Sequence, residues 1–394
     1  PMTRRHVILP LALTTTLALA ACGSDSESDE AGDHGHDHSS GSIDHPVAVT
    51  YDGGILLLDG ETLEVEKDIE LDGFNRLNPA GTDDHILVST SEGFQVLDAS
   101  AGELTDLVFE ADTPGHVVRH ADKAVLFADG TGEITVFDPH GLDHGEMPET
   151  ETYSTPEAHH GVAIVLENGD LLTSLGDSET RVGARVVDPD GEEVARSEEC
   201  PGVHGEATAR DEVVVIGCED GLLTYADGEF TKIGSPTEYG RIGNQAGSDD
   251  SSVVLGDYKQ DPDAELERPT QVSLTDTATN ELTLVDLPAS YTFRSLARGH
   301  DGEALVLGTD GAIHVIDPET AEITDSIQVL EDEWTEPIDW QQPRPAIFVR
   351  EHTAYVTDPA SQQLHAVDLD SGDLTATVDL DVAPNELSGV LHSH

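Results

Sequence analysis

Lysine is the scarcest charged residue in this chain, present only as Lys67, Lys123, Lys232 and Lys259. Lys and Arg together number 18 against 80 Asp and Glu, for a formal net charge of −62. Such a surface repels polyanions, which excludes nucleic-acid binding and disfavours anionic membrane surfaces. Aromatic residues make up 4% of the 394 positions, too few to fill a large helical core, whereas 37 Gly and 20 Pro suit a turn-rich β protein. Catalytic signatures are missing too. The chain has no GxSxG, HExxH or P-loop, no GxGxxG between a strand and a helix, and no regular DxDxDG calcium loop. Its longest uncharged run near the start, Val7 to Ala21, is too short to span a bilayer comfortably.

Histidine is what the chain has in surplus. There are 19, more than all Lys and Arg, and they lie among abundant carboxylates. Imidazole with carboxylate is the donor set of zinc and related divalent ions.

The N-terminal segment reads as an address, with Met2 as the start. Arg4 and Arg5 precede the uncharged run, which ends in Leu19-Ala20-Ala21-Cys22. That ending resembles the lipobox of bacterial lipoproteins, which implies a signal peptide over 1–21, cleavage before Cys22 and a lipid on its thiol. The expected location is therefore extracytoplasmic, anchored to a bacterial cell membrane through lipid alone. Cys200 and Cys218 remain as a pair in an oxidising compartment and predict a disulfide, with a zinc–thiolate pair as the alternative.

Residues 22–44 are Ser, Asp, Glu, Gly and His with almost no apolar side chain, which predicts a flexible acidic tether. Within it, Asp33-His34-Gly35-His36-Asp37-His38 alternates His34, His36 and His38 with other residues. Three imidazoles so spaced can wrap a zinc ion without a preformed scaffold.

From His45 to His394 a four-strand phrase repeats, with units beginning near Phe74, His116, His160, His204, Arg241, Tyr291 and Pro343. Hairpins such as Asp129-Gly130, Asp220-Gly221 and Asp310-Gly311 separate its strands. The fold class predicted is all-β, a single eight-bladed β-propeller. Seven blades follow if Ser251 to Leu287 is an insertion, and a pair of sandwiches is a third possibility. The first unit, His45 to Gly73, holds three strands, and Glu386 to Leu391 reads as its missing innermost strand, which would close the ring.

Inner strands of a propeller line its channel, and three consecutive units open with histidine in matching register. These are Pro114-Gly115-His116, His160-Gly161-Val162-Ala163 and Cys200-Pro201-Gly202-Val203-His204-Gly205-Glu206-Ala207. His116, His160 and His204 are thus candidate zinc ligands at one channel end, with His159, His120 and Glu206 as fourth ligands or orienting partners. His392 and His394 could reach a channel mouth. His140 and His144 lie in an outer loop of the third unit, and His85, His300, His314, His352 and His365 read as isolated structural or surface residues.

Signal segment, histidine tether and these inner-strand motifs together resemble the extracytoplasmic zinc metallochaperones of the AztD type, over essentially the whole mature chain. That resemblance implies an extracytoplasmic zinc-binding propeller, not an enzyme, that hands Zn2+ to the solute-binding protein of a zinc ABC transporter, and the lipobox makes this version a lipoprotein. A monomer is expected. The competing readings are a propeller enzyme, lactonase-like or quinone-dependent dehydrogenase-like, and an interaction scaffold without metal.

Overall fold

The structure, a computed structural model, describes residues 41–391. The expectations for 1–21, Cys22, His34, His36, His38, His392 and His394 fall outside these residues. Among the described residues no helix is long and apolar enough to cross a membrane.

Eight four-stranded antiparallel sheets form an eight-bladed β-propeller. Seven of the blades are meanders whose first strand is innermost, so the unit starts read from sequence fall at or near the start of the inner strands. Blade 1 contains Val47–Tyr51, Gly53–Leu58 and Val65–Leu71, completed on the inside by Leu387–Gly389 from the far end of the chain. Val47 pairs with Gly389 and Val49 with Leu387, which closes the ring as predicted. The stretch from Ser251 to Leu287 is no insertion. It supplies the three outer strands of blade 6, Val253–Asp257, Gln271–Asp276 and Glu281–Asp286. Packed chain begins slightly earlier than the tether boundary read from sequence: Ile43 is buried against blades 1 and 2, and its N–H donates to Ser100 O.

Blade interiors explain the sequence pattern. The second strand of a blade is covered on both faces and reads as a largely apolar run, as in Ala124–Val125–Leu126–Phe127. Outer strands alternate between buried and exposed positions, as in Glu281–Asp286. Eight apolar clusters fill the eight interfaces between neighbouring blades, so the core is a ring of contacts around the channel. Closure is reinforced by polar contacts. The Arg350 guanidinium donates to the carbonyls of His45, Pro46 and Val390, holding both chain ends to blade 8. Glu386, just before the closing strand, is buried against Arg294 at 2.9 Å and Arg76 at 3.0 Å.

Candidate metal centre

The inner strands of blades 3, 4 and 5 are Pro114–His120, Ala163–Val165 and His204–Ala209. Two of them are broken by bulges where histidine is placed. In blade 3 the register shifts between Pro114 and Val117, and in blade 5 between His204 and Glu206. A bulge releases a residue from the ladder and re-aims its side chain. Glycine makes both breaks feasible: Gly205 has φ +70, and a Cβ on Gly115 would lie 2.2 Å from Asp129 Oδ1.

His116, His160 and His204 consequently converge. Their ring centroids are 5.1, 5.1 and 5.0 Å apart, a nearly equilateral triangle. One ring nitrogen from each lies within 4.8 Å of the others, a spacing that could hold a metal ion. His116 and His204 are half-buried, and His160 is exposed at the mouth.

Two rings are fixed by their other nitrogen. His160 Nδ1 sits 2.6 Å from Asp129 Oδ2, and His204 Nδ1 bonds the Gly243 carbonyl. A carbonyl only accepts, so His204 Nδ1 must donate, and in the neutral ring Nε2 keeps its lone pair for a metal. Asp129 selects the same tautomer at His160, and its other oxygen accepts the Gly161 N–H at 3.3 Å.

Burial holds the His116 imidazole well below its ordinary protonation range, helped by His204, His160, Arg76 and Arg181. Burial also pushes His204 down to about 3, against the opposing pull of the Gly243 carbonyl, with His160, Arg241 and Arg181 adding to the depression. These two ligands are therefore neutral and ready to coordinate at neutral pH. The triangle is surrounded by cationic side chains despite the acidity of the chain as a whole.

The other inner-strand candidates lie elsewhere. His159 adjoins His160 in the bend before the inner strand, but its ring turns into the blade. Its ring is buried, with Nδ1 on Glu157 O at 3.0 Å, Nε2 on Ser174 Oγ at 2.7 Å, and Phe127 packed edge-on. His120 stands four residues beyond His116, about 13 Å along a strand, and bonds Glu212 Oε2 of blade 5 at 2.6 Å. Glu206 lies two residues deeper than His204 and is not part of the triangle; burial raises its carboxyl to about 7, opposed by His120 and Arg119. Among the described residues the triangle has no fourth protein ligand. Sequence reasoning missed Asp129, read only as a turn residue, and Gly243, which comes from the blade 5 to blade 6 connection. It also missed Arg76, Arg181 and Arg241.

Cys200 and Cys218 are joined by a disulfide, buried in the core between blades 4 and 5. It pins the segment entering His204, whose strand partner Gly217 adjoins Cys218. Replacing both cysteines with Ala should cost about 3 kcal/mol of stability for a loop of this length. Urea unfolding checks this, and an unchanged midpoint would show that the bridge constrains nothing.

His140 and His144 lie in a short 3-10 helix, Pro139–His144, between the outer strands of blade 3 and away from the triangle. His85, His314 and His365 are buried and bonded to Thr82, to Ser326 and Asp310, and to Thr377, as structural residues should be. His300 and His352 are not isolated: their rings pack against each other.

No family model matches the chain. It is similar to the zinc chaperone AztD of Citrobacter koseri, 27% identical over 304 residues that span 75% of this chain and 69% of that protein. The solved structure of apo AztD from Citrobacter koseri superposes with a TM-score of 0.74 at 23% identity, covering 88% of this chain and 96% of that one. A second crystal structure of Citrobacter koseri AztD gives 0.74 at 22% identity, over 88% and 98%. The computationally designed Ika8 protein shares the architecture more loosely, with a TM-score of 0.53 at 13% identity over 82% and 90%.

Proposed function

We propose that the protein is an extracytoplasmic zinc carrier that binds Zn2+ through His116, His160 and His204 and passes it to the solute-binding protein of a zinc ABC transporter. The observation that carries this reading is the convergence of three imidazoles at the channel mouth. Similarity to a protein described as a zinc chaperone supports the choice of metal.

The site's chemistry suits a cargo better than a permanent structural ion. Three neutral nitrogens leave the full dication charge in place and one coordination position open, as in zinc sites that exchange a ligand. Arg76, Arg181 and Arg241, close enough to depress the imidazoles, oppose a dication and favour an anionic incoming ligand. A carboxylate or other anionic donor from an acceptor could enter the open position while the imidazoles leave one at a time. Similarity to a protein described as a zinc chaperone supports a carrier over an enzyme.

In this reading residues 1–21 are the leader, Cys22 carries the lipid, and the chain from there up to the packed Ile43 tethers the propeller to the membrane. His34, His36 and His38 are transient ligands during handover. The test is transfer from the zinc-loaded protein to an apo solute-binding protein in excess chelator, with and without Asp33 to His38. Deletion should slow transfer about tenfold or more while the propeller keeps its zinc. Equal transfer rates would exclude a role for the tether, and transfer abolished by chelator would exclude direct handover altogether.

A further inference from the structure

Each blade sets one polar side chain at or just before the point where its inner strand enters the channel. Blades 3 to 5 set the triangle there. Blades 6, 7, 8, 1 and 2 in turn set Arg241, Arg294, Arg344, Glu386 and Arg76. Arg181, which opens the third strand of blade 4, adds a fifth arginine at the same end. In a chain with 18 basic residues against 80 acidic ones, this mouth gathers the scarce sign of charge.

The protein answers only part of that charge. Glu386 pairs with Arg76 at 3.0 Å and with Arg294 at 2.9 Å, and Glu336 pairs with Arg344 at 3.1 Å. Among the described residues the guanidiniums of Arg181 and Arg241 have no ion pair and no hydrogen bond; Glu219 and Asp129 attract Arg181 only from a distance. The Arg294 side chain is 5% exposed, yet its Nη2 has no hydrogen-bond partner, a costly state for a buried charged donor.

The arginines are also held in place. The Phe293 ring lies among the guanidiniums of Arg76, Arg294 and Arg344, at 5.9, 5.2 and 4.9 Å from its centroid. Arg241 folds over Gly243, where a Cβ would lie 2.3 Å from its Nη1, and the Gly243 carbonyl is the one that holds His204. An unpaired guanidinium thus stands beside a ligand of the triangle.

We propose that this arginine arc binds a carboxylate, and that the carboxylate is the outside ligand that completes zinc on the triangle. The inference rests on the reading of the triangle as the zinc site. A guanidinium matches a carboxylate in planar two-point geometry, and a carboxylate oxygen is an ordinary zinc ligand. One anion between them offsets both the dication that three neutral nitrogens leave uncompensated and the arginines that the protein leaves unpaired. Zinc and carboxylate therefore favour each other's binding, and that coupling is reciprocal. Multiply charged anions such as phosphate meet more repulsion from a chain of net charge −62 than a monocarboxylate does.

The test uses the full chain, with acetate as the probe and chloride at equal ionic strength as the control. In zinc-free protein, acetate should slow phenylglyoxal modification of Arg181 and Arg241, mapped by mass spectrometry. Saturating acetate should raise zinc affinity, measured by chelator competition and corrected for zinc–acetate complexes, by about fivefold or more. In the double variant Arg181→Gln, Arg241→Gln, zinc in chloride should bind at least as tightly as in the wild type, because two opposing cations are gone, while the gain from acetate disappears. A merely structural role for these arginines would instead weaken zinc in both media. Capped peptides with a single Asp or Asn separate the sources of the carboxylate. An Asp peptide acting where an equal concentration of acetate does not marks a side chain presented by an acceptor, and equal action marks a free carboxylate. Equal effects of the Asp and Asn peptides, an unchanged modification rate in acetate, or an acetate gain retained in the double variant would each overturn the proposal. Arginine protection in a protein whose triangle takes up no zinc would place the failure in the zinc reading and not in the anion site.

Discussion

Changing His116, His160 and His204 together to Ala should abolish tight zinc binding at the channel triangle, and each single change should weaken it by more than about a hundredfold. The magnitude follows from comparison with outer partners, whose removal from zinc sites typically costs about 10–100-fold. Losing one of three nitrogens costs more than losing a group that merely orients one. His160→Ala is the cleanest variant, because that ring is exposed and its contacts are to Asp129 and its fellow ligands. Its apo stability should stay close to wild type, so weak binding could not be attributed to misfolding. Asp129→Asn should fall in the lower range, since the ring keeps a partner but loses the charge that favours its Nδ1–H form. Competition with a chromogenic chelator measures all of these. Undiminished affinity in the triple variant would defeat the assignment.

The pH dependence of zinc binding should be far shallower than three imidazoles ordinarily give. From sequence alone, affinity is expected to fall as pH drops through the imidazole range, because only neutral rings ligate. Three such groups at their usual pKa would each lose about tenfold between pH 7.5 and 5.5, about a thousandfold together. The structure alters that expectation at two of the three. Burial and neighbouring cations hold His204 at about 3, so it has no proton to displace at pH 5.5, and they hold His116 well below the ordinary range. The loss over this interval should therefore be smaller by at least about tenfold. A thousandfold loss would mean that both rings protonate normally in the folded protein.

The same depression has an opposite consequence for the apo fold. Below about pH 6.5 the unfolded chain takes up protons on these imidazoles while the folded one does not, so stability falls progressively as pH drops from there toward 3. Wild type and His204→Gln should thus diverge in urea midpoint as pH is lowered, with the wild type losing more.

Much of this architecture is legible in the sequence because each blade repeats the same demands. The apolar second strand, the Asp-Gly hairpins and the polar outer strand recur often enough to place the unit starts. The unmatched strand at Glu386 to Leu391 has no partner except the first unit. The triangle is legible for the same reason: matching register in consecutive blades brings equivalent positions to one depth. Direction is what the sequence does not show. His159 adjoins His160, but its ring turns into the blade onto Ser174, and His120 belongs to the same strand as His116 but to its far end. His300 and His352 escape notice because a long connection separates blades 7 and 8 and their turns differ in length, so no register aligns them. Asp129 could have been found. A carboxylate in a blade 3 hairpin next to the segment opening blade 4 is placed to hold that segment's histidine.

Anomalous diffraction at the zinc absorption edge from zinc-loaded crystals tests the central claim most directly. The account predicts a peak between His116, His160 and His204, bonded to one nitrogen of each at about 2.0–2.1 Å. Zinc bound elsewhere, with these three rings unliganded, would contradict it.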